Sequence, residues 1–470
     1  MLSERDAPII AVATPPGKGA VGIVRISGKD LRTFADALCR QNLEPRRAYL
    51  TAIRDEHGQT VDQVLALFFS APHSYTGEDV LELQGHGGPV VLSMLVEHCL
   101  AFARRQNVGL AGLRLAQPGE FTQRAYLNQK MDLAQAEAVS DVIDAQTQAA
   151  VRGAGRSLVG AFSKQVEKLQ EQLLRLRMLV EASLDFPEED IDFVTQADVA
   201  GQLRAMQEET RLLCVKTRQG ALLRDGMKLV IAGQPNAGKS SLLNALTGQD
   251  TAIVTPVAGT TRDVLTQTIS IEGVPVHVVD TAGLRDTQSV DEVEKIGIER
   301  AWAQVKDADV LLLLHDLSRG NDAAYKARQT ALTEQILQQK NSHSPLLHVF
   351  NKTDLVTAVH ESIGQQSAMC ISAKTGQGLQ ELRVSLLQSV GWQAEHQEGV
   401  FSARQRHVNA LEQVHLHTAQ ALGVLQTPSP ALDLLAEELR CAQQQLSCLT
   451  GAMSADDLLG EIFSRFCIGK

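Results

Sequence analysis

A glycine-rich loop between a predicted strand and a predicted helix constrains this chain more than any other feature. Residues 233–240 have the sequence Gly-Gln-Pro-Asn-Ala-Gly-Lys-Ser, after the apolar run Lys228–Ala232 and before the helical run Ser241–Leu246. In this context G-x-x-x-x-G-K-S is typical of a phosphate-binding loop, because glycines let backbone N–H groups wrap the phosphates at a helix N-terminus. We expect Lys239 to reach the β- and γ-phosphates and the Ser240 hydroxyl to ligate Mg²⁺.

Three further motifs follow this loop, each directly after an apolar run that we predict as a strand. They are Asp280-Thr281-Ala282-Gly283, Asn351-Lys352-Thr353-Asp354 and Ser372-Ala373-Lys374. Asp280 would lie near Mg²⁺, and the Asp354 carboxylate can accept hydrogen bonds from N1–H and N2–H₂ of guanine, a donor pair that adenine lacks. Four motifs in this order predict a guanine-nucleotide-binding domain and a GTP hydrolase.

Hydrolysis needs groups that these motifs do not fully supply. Thr261, within Gly-Thr-Thr-Arg-Asp at 259–263, can complete Mg²⁺ coordination from a switch loop. In Ras-like GTPases a glutamine follows Asp-Thr-Ala-Gly and orients the attacking water, whereas Leu284 stands here and cannot do so. The sequence reveals no arginine finger either. The chain therefore supplies its catalytic groups differently, or it is a poor hydrolase on its own.

The sequence around the nucleotide motifs divides by texture into further domains. At 470 residues the chain is long enough for about three domains. We predict a mixed α/β domain over 1–128, a helical part over 129–225, a Ras-like P-loop GTPase domain over 226–390, and a second helical part over 391–470. The simplest arrangement inserts the GTPase domain into one helical domain, although two independent helical bundles would have the same texture.

Composition narrows the partners and the compartment. A formal net charge of −11 does not suit a protein that neutralises nucleic-acid phosphates, so any RNA contact needs a local patch or a second protein. Seven dispersed cysteines without C-x-x-C spacing argue against a disulfide framework and a structural zinc site. Apolar runs are too short to cross a bilayer, and the first residues lack a signal-peptide pattern. We expect a cytoplasmic protein with no membrane partner.

Several stretches together resemble one family of GTPases. In the nucleotide motifs these are Pro-Asn-Ala-Gly-Lys-Ser, Gly-Thr-Thr-Arg-Asp and the leucine after Asp-Thr-Ala-Gly. In the flanks they are Ala-Thr-Pro-Pro-Gly at 13–17, Thr-Gly-Glu-Asp at 76–79, Gln-Gly-His-Gly-Gly at 84–88, Arg-Gln-Arg-His at 404–407 and the terminal Cys-Ile-Gly-Lys. Over essentially its whole length the chain resembles the MnmE (TrmE) family of bacterial tRNA-modification GTPases, a branch of the TrmE-Era-like P-loop GTPases.

The resemblance implies a potassium-assisted GTPase whose nucleotide domains pair across a homodimer. A K⁺ ion beside the phosphates would neutralise transition-state charge where an arginine finger would otherwise act. The implied K⁺ ligands are Asn236, Thr255, Val257 and Thr260, and the Mg²⁺ ligands are Ser240 and Thr261.

The resemblance also implies the catalytic groups of the GTP site. Glu294 would orient the attacking water in place of the missing glutamine, beside the phosphate-binding Lys239. From the sequence alone, a glutamate on a helix face is more commonly a solvated charge. The predicted GTP-binding set is Asn236, Ala237, Gly238, Lys239, Ser240, Ser241, Thr255, Pro256, Val257, Ala258, Gly259, Thr260, Thr261, Asp280, Thr281, Ala282, Gly283, Asn351, Lys352, Thr353, Asp354, Ser372, Ala373 and Lys374.

For the N-terminal domain, the resemblance implies a fold that binds a tetrahydrofolate derivative, in its 5-formyl or 5,10-methylene form. The implied contacts are Arg25, Glu82, Lys130 and the terminal Lys470. A carboxylate can pair with the donor edge of a pterin, and a cation can pair with a glutamate tail. Cys467 is implied to lie near the folate, with a catalytic role, whereas its sequence context fits an unreactive thiol equally well.

The implied reaction is the modification of C5 of the wobble uridine in certain tRNAs. A homodimer would act with an FAD-dependent partner of the MnmG type, in a heterotetramer or larger complex, and would add an aminomethyl or carboxymethylaminomethyl group. One rival is a ribosome-assembly switch of the Era type, but the glycines after Gly391 never have the G-x-x-G spacing of a KH domain. A GTPase-regulated folate enzyme unconnected with RNA is a second rival.

Overall fold

A computed structural model of the chain separates into two compact units. It describes residues 6–105, 110, 112–185, 197–247, 266–280, 299, 301–356, 369–393, 399–451, 459, 462–464 and 466–469. The first unit comprises residues 1–140 and 444–470, and the second residues 141–443. The four predicted domains stay a prediction, because contact density divides the chain at other points.

The first unit contains a six-stranded sheet with the strand order β3-β4-β5-β2-β1-β6. β1 and β6 pair in parallel, and the other neighbours pair antiparallel. The apolar stretches on either side of the Pro/Gly segment near residue 17 predict a strand–loop–strand, which is confirmed as β1 and β2. The strands are β1 (Ile9–Val12), β2 (Val21–Gly28), β3 (Ala48–Arg54), β4 (Thr60–Phe69), β5 (Asp79–His86) and β6 (Arg114–Leu115).

Helices cover one face of this sheet. Helices α1 (Arg32–Cys39) and α2 (Pro89–Ala103) bury apolar side chains against alternate residues of the strands. Pro89 suits the first turn of α2, where a backbone N–H would have no helical partner. The unit also contains α3 (Glu120–Leu127) and the start of α4 (Leu133–Asp144), against which the C-terminal residues Phe463 and Phe466 pack.

The second unit contains a mixed sheet with the order β12-β11-β10-β7-β9-β8. β8 and β9 form an antiparallel hairpin, and the remaining neighbours pair in parallel. The strands are β7 (Met227–Gly233), β8 (Thr266–Ile271), β9 (Val274–Asp280), β10 (Val310–Asp316), β11 (Leu346–Asn351) and β12 (Met369–Cys370). Residues 310–314 are all buried, as expected for a strand that is covered on both faces.

Helices of two kinds complete the second unit. Both faces of the sheet carry helices, which are α8 (Lys239–Thr247), α9 (Ala323–Gln339) and α10 (Leu379–Ser389). The helical part comprises α5 (Gln148–Leu158), α6 (Ala161–Asp185), α7 (Val199–Asp225), α11 (Gln405–Leu425) and the start of α12 (Leu432–Thr450). Segments before and after the sheet meet, because Ser157 Oγ donates to the carbonyl of Ser402 at 2.7 Å. This contact supports a GTPase domain inserted into one helical domain.

Two differences from the sequence interpretation concern the edges of the sheets. The outer strands β3 and β8 were not predicted, since their mixed composition lacks the continuous apolar run of an inner strand. The predicted strand Ala368–Ile371 is shorter in the structure, where β12 spans Met369–Cys370. Within the second helical part the sequence also predicts a short helix at Ala455–Phe466, which lies largely outside the described residues. No helix in the described part of the chain has both the length and the apolarity to cross a membrane.

Candidate functional site

The phosphate-binding loop lies at the carboxyl end of the central strand β7, between β9 and β10. Gly233 pairs with Leu314 of β10, and Asp280 ends β9 opposite Ile231 of β7. Helix α8 begins at Lys239. Ligands of open parallel sheets bind at this edge, where the strand order reverses direction. The arrangement therefore fits a phosphate held at a helix N-terminus.

The path of this loop depends on its two glycines. Gly238 has φ +98°, and a Cβ at this position would lie 2.3 Å from Nδ2 of Asn351. A Cβ on Gly233 would lie 2.7 Å from the carbonyl oxygen of Leu314. Asn236 also has a positive φ, of 65°, which asparagine tolerates better than most residues. A side chain at either glycine would push the loop away from its neighbours.

Lys239 lies close to the carbonyl groups of its own loop. Its Nζ donates to the carbonyl of Gly233 at 2.9 Å and to that of Gln234 at 3.2 Å. Ser240 and Asn236 are exposed. Phosphate oxygens would be stronger, charge-assisted acceptors for the same ammonium.

Asn351 connects three of the predicted motifs. Its side chain is buried, and Nδ2 donates to the carbonyl of Ala237 in the phosphate-binding loop at 2.9 Å. Its Oδ1 accepts from the backbone N–H of Ala373 at 3.0 Å. A residue with both a donor and an acceptor is needed here, which explains an asparagine at the end of β11.

Asp354 is held by the segment around the predicted motif Ser372-Ala373-Lys374, which can close over the base. The hydroxyl of Ser372 donates to Oδ1 of Asp354 at 2.7 Å, and the N–H of Thr353 donates to the carbonyl of Ile371 at 3.2 Å. Ser372 is fully buried, whereas Asp354 is exposed. The carboxylate is thus fixed at one oxygen while the residue remains accessible to a ligand.

Sequence reasoning missed Asp316, which lies at the same edge of the sheet. Asp316 pairs in register with Asn351, and its carboxylate lies 2.7 Å from Nζ of Lys352. A signal was present, because Asp316 ends an apolar strand as Asp280 and Asn351 end theirs. Since no nucleotide motif includes this position, the signal was not used.

Part of the predicted GTP site lies outside the described residues. The backbone of Asp280 is described as the end of β9, but its side chain is not. The other residues concerned are Thr255, Pro256, Val257, Ala258, Gly259, Thr260, Thr261, Thr281, Ala282, Gly283 and Glu294. Their assignments stay predictions.

A second candidate site lies in the first unit, on strands β2 and β5. Arg25 and Glu82 are opposite each other in the ladder, and Nε of Arg25 lies 2.8 Å from Oε1 of Glu82. Both side chains are largely buried, at 19% and 15% exposed. The guanidinium also lies 5.6 Å from the ring centroid of Tyr75 and 5.7 Å from that of Phe121. Burial raises the pKa of the Tyr75 hydroxyl.

The C-terminal segment reaches this pair. Arg25 donates to the carbonyl of Gly469 at 3.3 Å, so two predicted folate contacts lie beside the predicted tail. A Cβ on Gly469 would lie 2.2 Å from the carbonyl oxygen of Val12, which explains a glycine at this point. Lys470 lies outside the described residues.

Lys130 and Cys467, the other two described residues predicted at the second site, contact backbone groups near it. Nζ of Lys130 donates to the carbonyl of Pro72 at 2.9 Å, in the loop that also carries Tyr75. Cys467 is exposed, and its carbonyl accepts from the N–H of Gly119 at 3.4 Å. Within the described residues, no group of three or more His, Cys, Asp or Glu side chains is arranged to hold a metal ion.

The second unit defines the class of protein. A largely parallel sheet that carries a phosphate-binding loop, Asn-Lys-Thr-Asp and Ser-Ala-Lys after strands at one edge is the nucleotide domain of a P-loop GTPase. The protein is therefore a GTP hydrolase, as predicted from the sequence.

Comparison with known proteins identifies the family. The family model "MnmE helical domain" matches residues 133–467, and "GTP-binding protein TrmE N-terminus" matches residues 8–130. The chain is 55% identical to the tRNA modification GTPase MnmE of Paracidovorax citrulli (strain AAC00-1), and 57% identical to that of Polaromonas sp. (strain JS666 / ATCC BAA-500). Both alignments cover 100% of this chain and of the relative. The chain belongs to the MnmE family of tRNA modification GTPases, which confirms the resemblance.

A solved structure of an Era variant from Aquifex aeolicus bound to GDP.AlF4- is 23% identical to this chain, with a TM-score of 0.28. It covers 43% of this chain and 69% of its own. The family assignment therefore depends on the family models and the full-length relatives.

Proposed function

We propose that this chain is a K⁺-assisted GTPase that modifies C5 of the wobble uridine of tRNA in the cytoplasm. It acts as a homodimer with an FAD-dependent partner of the MnmG type, in a heterotetramer or larger complex. A one-carbon tetrahydrofolate supplies the carbon of the aminomethyl or carboxymethylaminomethyl group. The observation that carries this proposal is the Arg25–Glu82 pair beside the C-terminal segment, in a chain that also contains a GTP site.

The second site has the groups that a folate needs. A pterin has an edge of N–H donors, from which the Glu82 carboxylate can accept hydrogen bonds. The aromatic rings of Tyr75 and Phe121 provide surfaces on which a pterin can stack. Arg25, Lys130 and Lys470 are cations for the carboxylates of a glutamate tail. The bound folate would supply the one-carbon unit, while these residues bind and orient it. Cys467 is exposed in the same C-terminal segment as Gly469, which contacts Arg25. We assign no reaction step to its thiol.

The GTP site contains oxygen-bearing residues that suit Mg²⁺ and K⁺. The exposed Ser240 hydroxyl at the start of α8 suits Mg²⁺, which prefers hard oxygen ligands, with Thr261 as its second protein ligand. The side-chain oxygen of Asn236, with Thr255, Val257 and Thr260, would hold K⁺. A monovalent cation there supplies positive charge at the phosphates as they react. Glu294 orients the attacking water.

The tRNA assignment is tested on wobble nucleosides. In cells that lack this protein, mass analysis should find the C5-modified uridine missing, and the wild-type chain should restore it. Arg25→Gln should leave GTP turnover within about twofold of wild type but fail to restore the nucleoside, because it weakens the charge-assisted contact to folate. Arg47→Gln, an exposed arginine of the same unit, is the matched control. Normal wobble nucleosides together with defective ribosome assembly would favour the Era-type rival.

Potassium dependence is tested by exchanging monovalent cations. GTP turnover in Na⁺ should be slower than in K⁺ by about 10-fold or more, because the implied ligands would suit the larger ion, whose charge would stabilise the transition state. Ionic strength is held constant, and GDP affinity is measured in both salts. Equal turnover in the two salts would remove the potassium assignment.

The role of Glu294 is tested by its removal. Glu294→Ala should slow hydrolysis by about 100-fold or more, the usual size of general-base assistance, while GTP affinity changes little. Glu299→Ala, at an exposed position nearby in sequence, serves as the control. Loss of GTP binding in Glu294→Ala would instead indicate a structural role.

A further inference from the structure

The ammonium of Lys352 lies against a buried carboxylate. Nζ of Lys352 is 2.7 Å from Oδ2 of Asp316, and the Asp316 side chain is 3% exposed. The other carboxylate oxygen, Oδ1, accepts from the N–H and the hydroxyl of Ser318. Lys352 itself has a left-handed backbone conformation, with φ 70°. A long side chain on an unusual backbone is thus held in one orientation by a fixed negative charge.

The same aspartate is connected to the phosphate-binding loop. The backbone N–H of Asp316 donates to the hydroxyl of Tyr325 at 2.8 Å, and Tyr325 is buried. The carbonyl of Tyr325 accepts from Nε2 of Gln234 at 2.8 Å. Gln234 is the second residue of the phosphate-binding loop and is also buried. Each consecutive pair in the series Lys352, Asp316, Tyr325 and Gln234 is therefore joined by a polar contact.

We propose that Asp316 and Tyr325 are positioning residues of the GTP site. They hold Lys352, and with it the base-recognition motif at residues 351–354, in a fixed place relative to the phosphate-binding loop. This proposal rests on the predicted roles of Lys352 in GTP binding and of Asp354 in base recognition. Neither Asp316 nor Tyr325 belongs to a nucleotide motif.

The physical effect is preorganisation. A free lysine side chain loses considerable rotamer freedom when it is ordered by a ligand, whereas Asp316 orders Lys352 before the nucleotide arrives. The benefit should fall on nucleotide binding and not on bond cleavage, because the Asp316 carboxylate contacts Lys352, a residue of the predicted GTP-binding set. Removing Asp316 should therefore weaken nucleotide affinity and raise the KM for GTP, with little change in kcat.

A double-mutant cycle on GDP affinity tests this coupling. Asp316→Asn should raise the Kd for GDP by about 10- to 100-fold in the wild-type background, the usual effect of losing a charge-assisted contact. In the Lys352→Met background the same substitution should raise Kd by about twofold or less, because its partner is already gone. Equal effects in the two backgrounds, or no effect in either, would overturn the proposal.

Tyr325→Phe tests the proposal independently if Asp316→Asn fails to fold. It removes the hydroxyl that Asp316 contacts and keeps the carbonyl that Gln234 contacts. We expect Kd for GDP to rise about 5- to 10-fold with kcat within about twofold. A lower Tm with unchanged Kd would mean that Tyr325 is merely structural. Asp309→Asn is the matched control, since Asp309 also contacts a backbone N–H, that of Lys228, beside the opposite end of β10.

Measuring GDP against XDP in the same preparations separates this proposal from the base assignment. If Asp354→Asn fails to exchange guanine for xanthine preference, the base assignment is wrong. If that exchange occurs but the cycle is additive and Tyr325→Phe leaves Kd unchanged, only the positioning roles of Asp316 and Tyr325 are wrong.

Discussion

Asp354→Asn is expected to bind XTP and to lose GTP, with an affinity for GTP lower by about 100-fold or more. An asparagine amide would face the N1–H and N2–H₂ donors of guanine with an N–H group of its own, leaving polar groups unpaired. Xanthine has a carbonyl in place of the 2-amino group, so it can accept from that amide. Ser372, whose hydroxyl lies 2.7 Å from Asp354, can contact either side chain, which should leave the fold intact.

Competition of XDP and GDP for the purified variants is the measurement. Asp307→Asn, an exposed aspartate of the same unit, is the control and should retain the guanine preference of the wild type. An unchanged affinity of Asp354→Asn for GTP would refute the base-recognition assignment, whatever the outcome for hydrolysis.

Lys239→Ala should abolish measurable GTP turnover, with a fall in kcat/KM of about 1000-fold or more. The reason is electrostatic: the ammonium would place a positive charge at the β- and γ-phosphates, where negative charge is redistributed during hydrolysis. The path of the loop depends on the crowded glycines Gly233 and Gly238, so the loop should keep that path in the variant.

Single-turnover hydrolysis and GDP titration separate the two effects of this substitution. Turnover and affinity should both fall, while Lys326→Ala, an exposed lysine on α9, should match the wild type. Hydrolysis at the wild-type rate in Lys239→Ala would mean that the triphosphate lies elsewhere.

The local parts of the GTP site were predictable because each binding function needs particular residue types within a short segment of the chain. A phosphate-binding loop needs glycines at Gly233 and Gly238, and both positions are crowded in the structure. The apolar runs before Asp280 and Asn351 form parallel strands that end at one edge of the sheet. Their order along the chain therefore translated directly into position.

The contacts that unite the motifs were not predictable in this way. Lys352 and Asp316 are 36 residues apart, Gln234 and Tyr325 are 91 apart, and Arg25 meets the carbonyl of Gly469 across 444 residues. Arg25 and Glu82 were named only because the family resemblance implied them. That they form an ion pair depends on the register of β2 against β5.

The sequence by itself determined the ligand class and the family, since phosphate and guanine recognition require particular residue types at fixed local spacing. Only the tertiary structure decided which buried charges face each other, that the C-terminal segment lies beside Arg25, and that Tyr325 contacts both Asp316 and Gln234 of the phosphate-binding loop. The physical reason is that strand register and helix packing act between distant segments, where the spacing along the chain carries no information about distance in space.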